Sequence, residues 1–173
     1  MRQIDRNPAE TMAVKCDLAG QVLRSFGGLR FRATGCSMLP SVWPGDTLVV
    51  ERIAGDQVHI GDVVLVGRDG RLCAHRVVSS VDDSGNLCWI TRGDAMAAPD
   101  RPVSETELLG RVAYLIRAGR LTAVPAKLSM VKRLTAKIVR RSVAAAWALV
   151  FLHRMVHGAE TSAPEEPVLP CQG

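Results

Sequence analysis

"GDVVLVGRDGRLCAHRVV", residues 61–78, is the stretch that most clearly indicates the fold of this chain. Two short runs rich in branched apolar residues lie on either side of the segment "GRDGR". Aspartate and glycine tolerate the backbone angles that a tight reversal requires. The stretch therefore predicts two antiparallel strands, over residues 62–68 and 71–81, joined by a turn.

The same succession of short β-type runs and turns continues on both sides of this stretch. Further candidate strands cover residues 29–34, 47–53, 87–91 and 109–117. The segment "DDSGN", residues 82–86, predicts a second hairpin turn. Strands that follow one another through short turns pair most easily in antiparallel fashion. Residues 28–120 are therefore expected to form one mainly β domain.

Both flanks of this domain differ from it in pattern. Residues 1–27 are expected to contain a short helix, around residues 9–25, that ends at a pair of glycines. A basic amphipathic helix is predicted within residues 121–157, because turn residues vanish from residue 126 onward and apolar and basic side chains fall on opposite sides. Residues 158–173 are rich in proline and are expected to be disordered.

The positive charge of the chain is concentrated near its C-terminal end. The net charge is +5, and residues 108–159 contain ten Lys and Arg but no Asp or Glu. A basic amphipathic helix of this kind is typical of segments that lie on a membrane surface or on a partner. The alternative is a helix whose apolar face covers the sheet. Nucleic acid is not an expected partner, because only 4% of the residues are aromatic and few could stack on bases.

Size and composition predict one folded domain with extensions. The chain has 173 residues, of which 47% are hydrophobic. Its five cysteines are scattered without a C-x-x-C pair, which indicates neither a disulfide framework nor a zinc site. The longest uncharged apolar run, residues 143–152, is about half as long as a membrane-spanning helix. We therefore expect no transmembrane span, and a location in the cytoplasm or at the cytoplasmic face of the membrane.

Serine chemistry is the first catalytic possibility that the sequence offers. A catalytic serine needs a base within hydrogen-bonding reach, commonly a histidine or a lysine. No lysine occurs between Cys16 and Ala126, so a serine–lysine pair inside the β domain is excluded. Of the two histidines in that domain, His59 precedes a Gly-Asp turn and is expected to be exposed. His75 lies in the middle of a predicted strand, where its ring needs a hydrogen-bonding partner.

Five segments, in order and spacing, resemble the catalytic domain of type I signal peptidases and of their relatives, the self-cleaving repressor peptidases. They are "GCSMLPSVWPGDTLVV", "GDVVLV", "AHRVV", "ITRGDAMAAPD" and "LLGRV", and together they cover roughly residues 29–117. The resemblance implies a coiled β-sheet domain in which Ser37 is the nucleophile. It also implies that His75 is the base, as in the endoplasmic-reticulum and archaeal branch, where a histidine followed by Arg-Val takes the place of the bacterial lysine.

In that branch an aspartate completes the site, and the sequence offers two candidates. The resemblance favours Asp100 as the residue that orients the His75 ring, while Asp94 belongs to the family's Gly-Asp pair and remains a possible additional member. Asp94 can also be read as an ordinary turn residue, like the aspartates of the other Gly-Asp pairs, Asp46 and Asp62.

The residues around Ser37 are expected to bind the substrate and its oxyanion. The oxyanion would rest mainly on backbone N–H groups, including that of Ser37, because Gly35 and Cys36 replace the residues that many bacterial members carry there. Met38 is expected to fill an apolar wall facing the substrate. Cys36 itself is an alternative nucleophile, but a reactive thiolate needs a nearby cation or helix N-terminus.

The sequence thus predicts a serine endopeptidase that hydrolyses a precursor or signal-type peptide without metal or organic cofactor. His153 and His157 are spaced for one face of a helix, but two ligands are weak support for a metal site. Two other functions stay open at this point. One is a catalytically silent peptide-binding module of the same fold, and the other is a self-cleaving regulatory peptidase.

Overall fold

A computed structural model describes residues 8–83, 85–126, 134–136, 139 and 150–151 of the chain. The prediction of a mainly β protein is confirmed, since seven antiparallel strands form one sheet. The elements in chain order are helix α1 (Pro8–Phe26), β1 (Gly28–Arg32), β2 (Thr47–Glu51), a 3-10 turn (Gly55–Gln57), β3 (Val63–Arg68), β4 (Arg71–Asp83), β5 (Asn86–Arg92), β6 (Leu108–Arg117) and β7 (Arg120–Ala123).

The sheet has the order β1-β2-β6-β3-β4-β5, and β7 pairs with β6. The hairpin of β3 and β4 runs from the pair Val63–Arg76 to the pair Arg68–Arg71, as the opening stretch predicts. Its turn residues Asp69 and Gly70 have φ angles of 51° and 69°. Two consecutive residues with positive φ match the right-handed twist of a two-residue hairpin, which explains the choice of aspartate and glycine.

Helix α1 ends where its sequence predicts. Gly27 has a φ of 72°, and its N–H donates to the carbonyl oxygen of Leu23 at 3.0 Å. A glycine in this left-handed conformation is a common end of a helix because it has no Cβ to clash. The Leu23 side chain is fully buried and packs α1 onto one face of the sheet.

Alternation along the strands divides the core into two clusters, one on each face of the sheet. Leu72 and Ala74 of β4 pack against the cluster that includes Leu23, while Cys73 and Val77 belong to the other cluster. His75 therefore lies on the same face as its neighbours at positions 73 and 77. His75 is itself buried, with 7% of its surface exposed.

Strand β7 is the element that sequence analysis misses. It follows Ala118 and Gly119, which have φ angles of 47° and 72°. Alanine at positive φ is not a recognisable turn signal, and all four residues of β7 are exposed, so no apolar alternation marks the strand. The sheet thus continues to Ala123, past the boundary that the pattern suggests at residue 120.

The predicted basic helix, residues 121–157, lies mostly outside the described residues, and the tail, residues 158–173, lies wholly outside them; residues 121–123 belong to strand β7 instead of a helix. Of this part, Val139 and Val150 are buried and pack with Leu39 in a third cluster, beside Trp43. His153 and His157 are not among the described residues. Within the helical segments that the structure describes, none has both the length and the apolar character needed to cross a bilayer.

Candidate active site

Ser37 and His75 meet in the folded chain although 38 positions separate them. The Oγ atom of Ser37 lies 3.0 Å from Nε2 of His75. On the other side of the ring, Nδ1 lies 2.6 Å from Oδ2 of Asp100. The proximity that the sequence predicts for these three residues is therefore confirmed, and their side chains form one continuous hydrogen-bonded array.

Ser37 is presented by a short turn between β1 and β2. The turn is closed by backbone bonds from Leu39 to Cys36 and from Ser41 to Met38. The Met38 side chain is 4% exposed and packs in the core beneath the turn. Met38 thus anchors the loop that carries Ser37 to the core, and the prediction that it forms a wall facing the substrate does not fit so little exposed surface.

Asp100 is held in place by Thr91 near the end of β5. The Asp100 N–H donates to the carbonyl oxygen of Thr91 at 2.8 Å, and the Thr91 hydroxyl donates to Asp100 Oδ2 at 2.6 Å. A carboxylate only accepts hydrogen bonds, so the bond to Asp100 places the ring proton of His75 on Nδ1. The lone pair of Nε2 then faces the Ser37 hydroxyl, which is the arrangement that a general base requires.

Asp94, the other candidate aspartate, has a different set of partners. Its two carboxylate oxygens accept from Nε and Nη2 of Arg76 at 2.8 and 2.9 Å. The Ser41 hydroxyl donates to Oδ2 at 2.5 Å. Asp94 is therefore half of a buried ion pair that fastens the loop carrying Ser37, through Ser41, to strand β4. Asp100 rather than Asp94 contacts His75.

Arg76 extends this buried ion pair towards the C-terminal part of the chain. Its Nη1 donates to the carbonyl oxygens of Gly61 and Pro125 at 2.7 Å each. Because Arg76 follows His75 directly, the strand that carries the histidine is tied to two loops at this point. The sequence alone gives no sign of this network, since its members are far apart in the chain.

Cysteine chemistry is disfavoured at the site by the geometry around His75. Nε2 faces the hydroxyl of Ser37, while Cys36 is exposed beside it. Cys73, on the same strand as His75, is partly buried; burial, and to a lesser extent the charge of Asp100, raise the pKa of its thiol to about 11. Cys73 is therefore a neutral thiol near pH 7.

The Ser37 turn also carries backbone N–H groups that are available as hydrogen-bond donors. No described group accepts a hydrogen bond from the N–H of Ser37 or from that of Met38. Such donors can bind the negative charge that develops on a carbonyl oxygen during acyl transfer. Cys36 is exposed and Ser37 is partly exposed, so this side of the turn is accessible to solvent.

Gly93 is a position in close contact with Ser37 that sequence analysis misses. A Cβ atom at this position would lie 2.6 Å from the carbonyl oxygen of Ser37 and 3.1 Å from its Cβ atom. The Ser37 carbonyl also accepts from the N–H of Ala95 at 2.8 Å. The turn after β5 therefore approaches Ser37 so closely that only glycine fits. A glycine just after an apolar strand is the one sequence signal for such an approach.

Replacing Gly93 by alanine should lower the rate at which Ser37 reacts with an acylating reagent by at least about tenfold, because a shift of the Ser37 backbone misaligns its hydroxyl with His75. The free energy of unfolding should fall by about 1–3 kcal/mol from overpacking. Labelling kinetics and urea denaturation measure the two effects. Gly28→Ala is the matched control, since its Cβ would meet an ordinary contact at 3.6 Å; an unchanged labelling rate in Gly93→Ala would show that the close approach is unimportant.

The fold and the site together define a mainly β protein with a hydrogen-bonded Ser–His–Asp array. Comparison of the chain with models of protein families, and separately with curated protein sequences, finds no match.

Proposed function

We propose that this protein is a serine endopeptidase of the signal-peptidase type. The observation that carries the proposal is the position of His75, whose two ring nitrogens contact the Ser37 hydroxyl at 3.0 Å and the Asp100 carboxylate at 2.6 Å. The ring nitrogens of a histidine in mid-strand can form hydrogen bonds with many kinds of partner. Bonds to a serine in one loop and an aspartate in another are the arrangement that activates a hydroxyl for acyl transfer.

In the proposed reaction the Ser37 oxygen attacks the carbonyl carbon of a peptide bond while its proton passes to Nε2 of His75. The imidazolium is stabilised by Asp100, and the oxyanion by the backbone N–H of Ser37. When the tetrahedral intermediate collapses, the C–N bond breaks and His75 returns the proton to the leaving amine. Water, activated by the same histidine, then hydrolyses the acyl-enzyme and regenerates the serine.

The substrate class follows from the resemblance and from the shape of the site. Ser37 lies on a turn that follows the exposed edge strand β1, so a peptide in extended conformation could pair with backbone near the site. Small residues next to the cleaved bond are what the resemblance implies. We place the protein in the cytoplasm or at the cytoplasmic face of a membrane, where the basic C-terminal stretch would contact anionic lipid.

Labelling with a fluorophosphonate reporter, read by intact mass and by peptide mapping, tests the proposed function. The wild-type protein is expected to gain one adduct on Ser37, and Ser37→Ala is expected to gain none. Ser80→Ala, which removes an exposed serine from β4, is the matched control and should label like wild type. An adduct that persists in Ser37→Ala contradicts the assignment. A wild-type protein that is never labelled supports the silent binding module instead.

A further inference from the structure

A second ion pair lies close to the array, between Arg68 at the end of β3 and Glu107 just before β6. Nε and Nη2 of Arg68 donate to the two carboxylate oxygens of Glu107, each at 2.5 Å. The side chains are only 14% and 27% exposed. A bidentate pair that is partly shielded from water in this way fixes both groups in direction as well as distance.

The same guanidinium also reaches the loop that carries Asp100. Nη1 donates to the carbonyl oxygen of Arg101 at 3.2 Å, and Nη2 donates to that of Pro102 at 2.5 Å. These two residues follow Asp100 directly. At the far end of the loop, Glu107 Oε2 accepts from the N–H and the hydroxyl of Ser104 at 3.0 and 3.1 Å. Both ends of the loop are therefore fastened to one ion pair.

The charge state of this ion pair is stable. Hydrogen bonds from Arg68, aided by those from Ser104, lower the pKa of Glu107 to about 2. The carboxylate therefore stays ionised through the neutral and mildly acidic range, and the guanidinium keeps its partner there.

We propose that Arg68 is a positioning residue for the peptidase reaction, which holds the Asp100 carboxylate against His75 by fixing the backbone that follows Asp100. The inference rests on the proposed function. Thr91 holds Asp100 from the side of β5, through the backbone and the carboxylate. Arg68 holds the next two residues from the side of β3. Two anchors on opposite sides restrict a loop to the narrow range of positions that a productive hydrogen bond needs.

Acylation by the fluorophosphonate, measured against its concentration, separates positioning from binding. Arg68→Gln should lower the maximal acylation rate by about tenfold and leave the half-saturating concentration unchanged. Arg68→Lys should recover part of the loss, because it keeps the charge but lacks the planar fork. Arg111→Gln is the matched control, since Arg111 forms a comparable pair with Glu51 on the sheet. Glu107→Gln is the second variant in case Arg68→Gln does not fold.

Two results would overturn this proposal. The first is that Arg68→Gln lowers the maximal acylation rate by the same factor in the wild-type protein and in Asp100→Ala. If Arg68 acts through Asp100, replacing Arg68 should have no further effect once the Asp100 carboxylate has been removed. The second is an unchanged NMR resonance of the Nδ1-bound proton of His75 in Arg68→Gln. That resonance is read without any reaction, so it decides the positioning role even if wild-type Ser37 proves unreactive and the proposed function fails.

Discussion

Replacing His75 by alanine is expected to slow the acylation of Ser37 by about 10⁴-fold or more. A serine hydroxyl is a weak nucleophile until a base takes its proton, and Nε2 of His75 lies 3.0 Å from Oγ. Asp100 cannot substitute, because its carboxylate contacts the far side of the ring. The measurement is the second-order rate of fluorophosphonate labelling at pH 7, on protein whose far-ultraviolet circular dichroism matches wild type.

His59→Ala is the matched control for this experiment. His59 is also a histidine of the β domain, but 75% of its side chain is exposed and its backbone belongs to the turn at Asp62. Replacing His59 should leave the labelling rate within about twofold of the wild-type rate, since substitutions of exposed residues outside a core, cap or buried network usually have small effects. If His75→Ala labels at the wild-type rate, Ser37 is not activated by this imidazole and the proposed mechanism is wrong.

Local chemistry explains why so much of the fold could be predicted from sequence. The turn at Asp69 and Gly70 needs residues that accept positive φ, and the end of α1 needs Gly27 for the same reason. These backbone requirements can be recognised in the sequence from the residue type at a single position. Ala118 meets the same backbone requirement without being a typical residue for it, and for that reason the hairpin that leads into β7 could not be predicted.

The candidate site was predictable to a lesser degree, and the choice of aspartate shows why. Asp94 and Asp100 both follow β5, only six positions apart, so spacing alone does not say which of them faces His75. The choice depends on how the chain turns after Arg92. After Arg92 the chain brings the Asp94 carboxylate to Arg76. It then returns so that Asp100 lies beside Thr91 and contacts the His75 ring.

The buried network was beyond the reach of sequence analysis for a related reason. Ser41, Arg76 and Asp94 are polar residues in three separate segments, and nothing in any one segment shows that its polar group is buried. Burial of a polar side chain is a property of the assembled fold. The partner that makes burial tolerable can lie anywhere in the chain.

Replacing Asp94 by alanine should therefore have the largest effect on stability, lowering the free energy of unfolding by about 3–5 kcal/mol. The Arg76 and Asp94 side chains are only 8% and 3% exposed, so the substitution leaves a buried guanidinium without its counter-charge. Ser41 loses its acceptor in the same step. Urea denaturation followed by tryptophan fluorescence measures the loss.

Arg101→Ala provides the matched control, because it breaks the ion pair of Arg101 with Asp69, whose side chains are 62% and 76% exposed, and leaves the positive-φ turn residue in place. Exposed pairs of this kind contribute little, so a change of less than about 1 kcal/mol is expected. The loss of unfolding free energy in Asp94→Asn should lie between the losses in these two variants, since the amide keeps an acceptor for Arg76 but not the charge. A loss in Asp94→Ala as small as that in Arg101→Ala would mean that water reaches the guanidinium, and that Arg76 does not depend on Asp94 to hold β4 against the loop that carries Ser37.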